Sequence, residues 1–144
     1  MRNYNIAIAS DHSGYILKDK IVEYLLGRQL TVKDFGTNSS ETVDYPDYAN
    51  MVVDTILDEE SSTGILICGT GIGMSIAANR RLGIRAALCT DLFMAERARS
   101  HNDANILVIP SKILNDADTF AIVEKFLNTQ FEGGRHNTRI AKLG

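Results

Sequence analysis

Apolar positions along the chain switch repeatedly between two rhythms. Short β-rich runs alternate with longer runs in which apolar residues recur every three or four positions, the signature of βαβ units feeding a parallel sheet. Asn5–Ser10, with Ile6 and Ile8 two apart, reads as a first strand, and Gly14–Gln29 as a helix carrying Leu17, Ile21, Tyr24 and Leu25 on one face. Leu30–Phe35 is a second strand closed by Gly36, and a polar loop runs from there to Asp44. Pro46 suits the first turn of the next helix, where a missing N–H costs nothing. That helix runs to about Glu59 and turns Tyr48, Val52 and Ile56 inward. Gly64–Cys68 is wholly apolar, the mark of a strand covered on both faces. A compact helix (Ile72–Arg81), a fourth strand (Ile84–Cys89) and a helix over Leu92–Ser100, capped by Thr90 or Asp91, follow. Asn105–Ile109 is a fifth strand, and Asp116–Asn128 a helix with Phe120, Val123 and Leu127 inward. Phe131–Leu143 reads as a short helix or arm beyond the core.

The expected fold is one α/β domain over residues 1–144, built on a five-stranded parallel sheet, with a C-terminal arm from about residue 131. In such open sheets ligands bind outside the carboxyl ends of the strands, where the strand order reverses. Ser10-Asp11-His12 follows the first strand, Cys68 to Gly73 closes the third, and Thr90-Asp91 follows the fourth. Chemically loaded loops after the first and third strands place those two strands side by side across the reversal point.

Composition narrows the class. With 144 residues, 44% apolar and 23% charged, the chain matches an ordinary globular domain and excludes a disordered tail, a collagen-like fibre and a coiled coil. Its longest apolar runs, Gly64–Cys68 and Ile106–Pro110, fall far short of the roughly 20 residues a membrane helix needs. A net charge of −3, from 15 basic and 18 acidic residues, is a poor match to nucleic acid. Two cysteines form no disulfide framework, and Met1–Tyr4 leads into a strand without an apolar signal core, so the expected compartment is the cytoplasm.

The strongest local signal is the loop Gly69-Thr70-Gly71-Ile72-Gly73. Three glycines at alternate positions, between a buried strand and a helix start, let backbone N–H groups converge on an anion. Thr70 and Ser75 add hydroxyls. The spacing is not that of a dinucleotide fingerprint, although Asp91 lies about 20 residues on, and a Walker A loop is excluded because no Lys-Ser/Thr follows. Cys68, just before the loop, is either a base or nucleophile at a helix mouth or a buried structural thiol, and position alone leaves both open. Cys89 belongs to the core. Asp11-His12 can do acid–base work or contact phosphate, or simply cap a helix. His101-Asn102-Asp103 sits at another element boundary. The basic residues Arg135, His136, Arg139 and Lys142 form either a solvated helix face or an anion grip. Three scattered histidines and two distant cysteines show no metal-ligand spacing.

Taken together, these blocks resemble the ribose-5-phosphate isomerase B family, within the wider group that includes galactose- and allose-6-phosphate isomerases. The resemblance runs through Ser10-Asp11-His12-Ser13-Gly14, Asp44-Tyr45-Pro46, the ten residues from Gly64 to Gly73, His101-Asn102-Asp103-Ala104-Asn105 and Glu132-Gly-Gly-Arg-His136. It implies a three-layer, Rossmann-like α/β/α sandwich acting as a homodimer or a dimer of dimers, with active sites at the subunit interface. It also implies interconversion of ribose 5-phosphate and ribulose 5-phosphate through an enediol, without metal or organic cofactor. Cys68 matches the base that moves the C2 proton; some relatives use a glutamate further along, and Ser75–Asn79 offers none. Thr70 joins the catalytic set, His101 matches the residue that opens the sugar ring, and Asp11 is its partner acid or base. The loop glycines Gly69, Gly71 and Gly73 match the group facing the enediolate. His12, Arg135 and Arg139 match the phosphate set, and Tyr45, Ser75 and Asn102 complete the substrate contacts. One departure stands out: the family's Gly-x-Arg after the fifth strand is Pro110-Ser111-Lys112 here, and lysine keeps the charge without the bidentate fork. The alternatives are a six-carbon sugar-phosphate isomerase, or a nucleotide-binding module using Gly69–Gly73 and Asp91.

Overall fold

The computed structural model describes residues 4–144. Five parallel strands, β1 (Tyr4–Ser10), β2 (Val32–Asp34), β3 (Ser61–Cys68), β4 (Ala86–Leu88) and β5 (Ile106–Pro110), form one sheet in the order β2-β1-β3-β5-β4. The helices are α1 (Tyr15–Gly27), α2 (Tyr45–Leu57), α3 (Ile72–Ala78), α4 (Leu92–Ser100), α5 (Asp116–Asn128) and α6 (His136–Ala141). Side chains alternate across the three inner strands and divide the core in two. Ile6, Ile8, Ile65, Ile67, Leu107 and Ile109 pack under α1, α4 and α5. Ala7, Ala9, Leu66, Cys68, Ile106 and Val108 pack under α2 and α3. The result is the expected three-layer sandwich, and Cys68 lies on its α2/α3 side.

β1 and β3 are neighbours, in register from Tyr4 opposite Ser61 to Ser10 opposite Ile67, so the order reverses where the two loaded loops emerge. β2 and β4 come out at three residues each, shorter than their apolar patterns predict. Both are edge strands, paired on one side only, so the ladder stops as soon as the chain peels away. The helix stripes are rotated slightly from expectation. α2 buries Ala49, Val52, Val53 and Thr55, and α5 buries Thr119, Ile122, Val123 and Phe126. Tyr24, Tyr48, Ile56, Phe120 and Leu127 pack at the core margins instead. Ala49, Val52 and Val53 let α2 approach the sheet closely, whereas α5 buries Phe126 whole.

Lys18 of α1 is fully buried. Its Nζ donates to Asp34 Oδ2 at 2.7 Å, Asp19 Oδ1 at 2.8 Å and Asn38 Oδ1 at 3.2 Å. This charge is paired and hydrogen-bonded, which is the condition for burying one. It ties α1 to the end of β2 beneath the loop that leads to α2.

Candidate functional site

The carboxyl ends of β1 and β3 carry the first group of site residues. Asp11 donates its N–H to Ile67 O at 3.2 Å, which holds the end of β1 against β3. Its Oδ1 accepts from the N–H groups of Ser13 (2.9 Å) and Gly14 (3.1 Å). Those bonds turn the chain into α1, and both fall on one oxygen, which leaves Oδ2 uncommitted. His12 accepts at Nδ1 from Val43 N–H at 3.2 Å. The neutral ring therefore carries its proton on Nε2, a donor suited to an anionic oxygen.

Cys68 ends β3 and is 6% exposed. Its carbonyl accepts from Ser111 N–H at 2.9 Å, and that of Gly69 from Lys112 N–H at 3.0 Å, stitching the loop after β5 to the glycine loop. The Lys112 stem lies over Gly69, where an added Cβ would meet Lys112 Cδ at 3.3 Å. Gly71 adopts a left-handed φ of +76°, and an added Cβ would come within 2.5 Å of Leu88 Cδ1. Glycine is thus required twice over at the residue that launches α3. Thr70 Oγ1 accepts from Ile72 N–H at 3.2 Å. Tyr45, the first residue of α2, lies against the first turn of α3, where a Cβ on Gly73 would sit 2.7 Å from its ring. Ser75 is half-buried one turn into α3. Asp11, His12, Tyr45, Cys68, Gly69, Thr70, Gly71, Gly73 and Ser75 thus share one end of the sheet. They form a shelf: a thiol, a carboxylate and a histidine donor beside a loop of backbone N–H groups.

Cys89 is the contrasting thiol. It is 1% exposed, and burial first, the Asp91 carboxylate second, push it up to about 12. It stays protonated at neutral pH and is unreactive. Iodoacetamide is therefore expected to alkylate Cys68 before Cys89, as peptide mass mapping over time can follow. Equal labelling would remove the chemical distinction between them. Asp91 itself caps α4, its Oδ1 accepting from Met94 N–H at 2.7 Å. That is the helix-cap role, and it leaves the nucleotide reading without its acidic residue.

The second group lies at the other end of the sheet. His101 closes α4, its N–H donating to Arg97 O at 2.9 Å, and exposed Asn102 follows. The arm docks here: Glu132 N–H donates to Ser100 O at 3.0 Å. The His136 ring stacks on that of His101 with centroids 4.2 Å apart and planes at 25°. Glu132 Oε2 stands 3.8 Å from Nε2 of each histidine. His136 is 4% exposed. Burial, then Arg135 and His101, then more weakly Arg139, hold its pKa below the usual imidazole value, against the pull of Glu132. Arg135 and Arg139 are exposed, and among the described residues neither pairs with a carboxylate. Donor atoms of His101, Glu132 and His136 lie within 4.8 Å of one another. The rings are stacked, however, so an ion bonded to both would lie out of at least one ring plane, a poor chelate.

One chain does not bring the two groups together. Ile106 pairs with Gly64 and Pro110 with Cys68, so the whole of β5 separates them, about 16 Å at the rise of a parallel strand. Sequence reasoning named both groups but missed Ser111, the seat of Lys112 on Gly69, and the pairing of Glu132 and His136 with His101. The signal for that pairing was the motif Glu132-Gly-Gly-Arg-His136, whose two glycines announce a tight reversal.

Comparison with known proteins places these features in context. A family model described as Ribose/Galactose Isomerase matches residues 6–143. The chain is 47% identical over 138 residues to ribose-5-phosphate isomerase B of Escherichia coli (strain K12), covering 96% of this chain and 93% of that protein. The crystal structure of a ribose 5-phosphate isomerase from Thermotoga maritima superposes with a TM-score of 0.96 at 57% identity, covering 99% of this chain and 98% of that one. Ribose-5-phosphate isomerase B from Mycoplasma genitalium, solved with bound ribulose-5-phosphate, gives a TM-score of 0.92 at 43% identity, covering 99% and 95%.

Proposed function

The chain belongs to the ribose/galactose isomerase family, and from that premise we propose that it interconverts ribose 5-phosphate and ribulose 5-phosphate in a site shared by two copies of the chain. Cys68 of one copy is the base. The shelf around it is completed by His101, Asn102, Arg135 and Arg139 of the second copy. The observation that carries this reading is the separation of two chemically complementary groups by the length of β5.

The aldose begins as a ring. Opening it takes a proton from the O1 hydroxyl, breaks the C1–O4 bond and delivers a proton to O4. His101 and Asp11, whose Oδ2 is uncommitted, are assigned to those transfers. The Cys68 thiolate then removes the C2 proton. A proton beside a carbonyl is only weakly acidic, so the developing enediolate needs fixed donors next to the base. The N–H groups of the Gly69–Gly73 loop and the Thr70 hydroxyl occupy that position. Passing the O2 hydroxyl proton to O1 and returning the carbon-bound proton to C1 gives the ketose, with its carbonyl now at C2. The phosphate is gripped at the far end of the sugar by His12 Nε2–H and by the two arginines, whose guanidinium forks suit a dianion. Tyr45, Ser75 and Asn102 line the path between.

Two further features support a homodimer. Ile72 and Ile76 on α3, which starts at the shelf, are exposed apolar side chains, and Leu92 and Phe93 at the start of α4 add to the exposed apolar surface. Thr70 of the shelf is also exposed, and Gly69 and Gly73 are partly so, which leaves the glycine loop open to cover by a second copy. No described helix is long and apolar enough to cross a membrane. The two free cysteines fit a reducing cytoplasm.

Mixing two inactive variants tests the shared site. Cys68→Ala and His101→Asn, each purified and then reassorted together, are expected to regain about a quarter of wild-type activity. Half of the resulting two-fold dimers are mixed, and each mixed dimer holds one intact site and one doubly altered one. No recovery, with exchange verified by native mass spectrometry, would show that each chain works alone.

A further inference from the structure

We propose that Glu132 and His136 are positioning residues for His101: the carboxylate orients the imidazole through its Nε2 edge, and the stacked ring fixes its plane. The proposal rests on the assignment of His101 to ring opening, and it concerns a part of the arm to which that assignment gives no role.

The local chain is built for this contact. Gly133 and Gly134 are consecutive left-handed residues, φ +69° and +59°, a reversal that side-chain-bearing residues rarely adopt. His136 N–H donates to Gly133 O at 3.2 Å and Asn137 N–H to Gly134 O at 3.2 Å, closing the turn. Glu132 enters the turn anchored by its backbone to Ser100, and His136 leaves it lying flat on His101. An arm needed only for its arginines would require neither contact.

The energetics point the same way. His136 Nε2 is buried and has no hydrogen-bond partner among the described residues, and an orphaned buried polar atom carries a desolvation cost. That cost is tolerated where the ring serves as a surface rather than as a donor. The groups around His101 can be enumerated. On its own segment, Arg97 is engaged by Glu96 and Phe93, and Arg99 pairs with Asp103. From the arm come Glu132, Arg135, His136 and Arg139. Burial and the adjacent cations lower the pKa of His136, and Glu132 is, among the described residues, the carboxylate that stands at His101.

Ring opening asks His101 to take up and release a proton within one turnover. A carboxylate at one ring nitrogen selects the tautomer and stabilises the imidazolium, the part an aspartate plays in hydrolase triads. Glu132 holding Nε2 leaves Nδ1 for the sugar. The 3.8 Å separation is longer than a hydrogen bond, but the Glu132 side chain is half exposed and free to close, and such contacts commonly tighten when substrate binds.

Two assays on the full-length chain separate ring opening from proton transfer. One is conversion of ribose 5-phosphate. The other is deuterium wash-in at C1 of ribulose 5-phosphate in D₂O, which needs the enediol but no ring, because O5 of the ketose is phosphorylated. In Glu132→Gln, kcat for ribose 5-phosphate is expected to fall between about tenfold and a hundredfold, with KM and wash-in little changed. Glu132→Asp should recover part of that loss. His136→Phe, which keeps a flat ring and removes the orphaned nitrogen, should match wild type, whereas His136→Ala should resemble Glu132→Gln. Adding Glu132→Gln to His101→Asn should cost nothing more, because the two act as one unit. An unchanged kcat in Glu132→Gln, an equal slowing of wash-in, or additive losses in the double variant would each overturn the role of Glu132. Loss in His136→Phe would overturn that of His136. Normal ribose 5-phosphate conversion by His101→Asn is a different failure: it removes the ring-opening assignment, and the proposal falls with it.

Discussion

Cys68→Ala is expected to lower kcat for ribose 5-phosphate by roughly 10²–10⁴-fold, the range for loss of a positioned base, while substrate still binds. The magnitude follows from the absence of a substitute. Ser75–Asn79, in and just after α3, contain no carboxylate, Asp11 is assigned to ring opening, and Cys89 is buried and protonated. The substitution should leave the fold intact, since Cys68 sits at the end of β3 and alanine only trims its sulfur. A melting curve checks that directly. Deuterium wash-in at C1 of ribulose 5-phosphate should disappear as well, which sets this variant apart from one impaired only in ring opening. Near-normal turnover in Cys68→Ala would remove Cys68 as the base.

The arginines of the arm provide the second large effect. Arg135 and Arg139 are exposed and unpaired with carboxylates among the described residues. Ordinary exposed arginines would lose less than about 0.5 kcal/mol of stability on replacement by glutamine and leave the kinetics alone. If they hold the phosphate, each removes a charge-assisted contact worth about 1.5–3 kcal/mol. The fall in kcat/KM should then be about tenfold or more per arginine, with the melting temperature unchanged. Inorganic phosphate should lose its competitive inhibition in parallel. Lys112→Ala is the internal comparison. Its stem rests on Gly69 beside Cys68, and it should cost less than either arginine change. A larger effect at Lys112 would move the phosphate grip to the loop after β5.

Much of this was legible because it is local. Alternation of period two and recurrence at three to four residues depend only on neighbouring positions, so the strands and helices could be placed from the pattern. The backbone at Gly69–Gly73 had to turn sharply between a buried strand and a helix, and three glycines in five residues announce that without reference to anything distant. The adjacency of β1 and β3 followed from where the chemistry clustered. The edges were legible only in part. A β-rich segment of six residues can form a strand of three when one side has no partner, and the sequence does not say which strands are outermost.

The rest was settled by segments that meet from afar. Lys18 looks like any surface lysine of an amphipathic helix, and its burial depends on Asp34 and Asn38, 16 and 20 residues on. Insertion of β5 between β3 and β4 decides that Cys68 touches the Ser111-Lys112 loop. Because each strand is parallel and each helix returns the chain to the opposite end, His101 and the arm arrive about 16 Å from the thiol they were expected to serve. The residue types and turn signals of the site were thus written in the sequence by local sterics and hydrogen bonding. Which end of the sheet each group occupies, and the stacking of His136 on His101, came from the packing of helices over a sheet whose order no local pattern encodes.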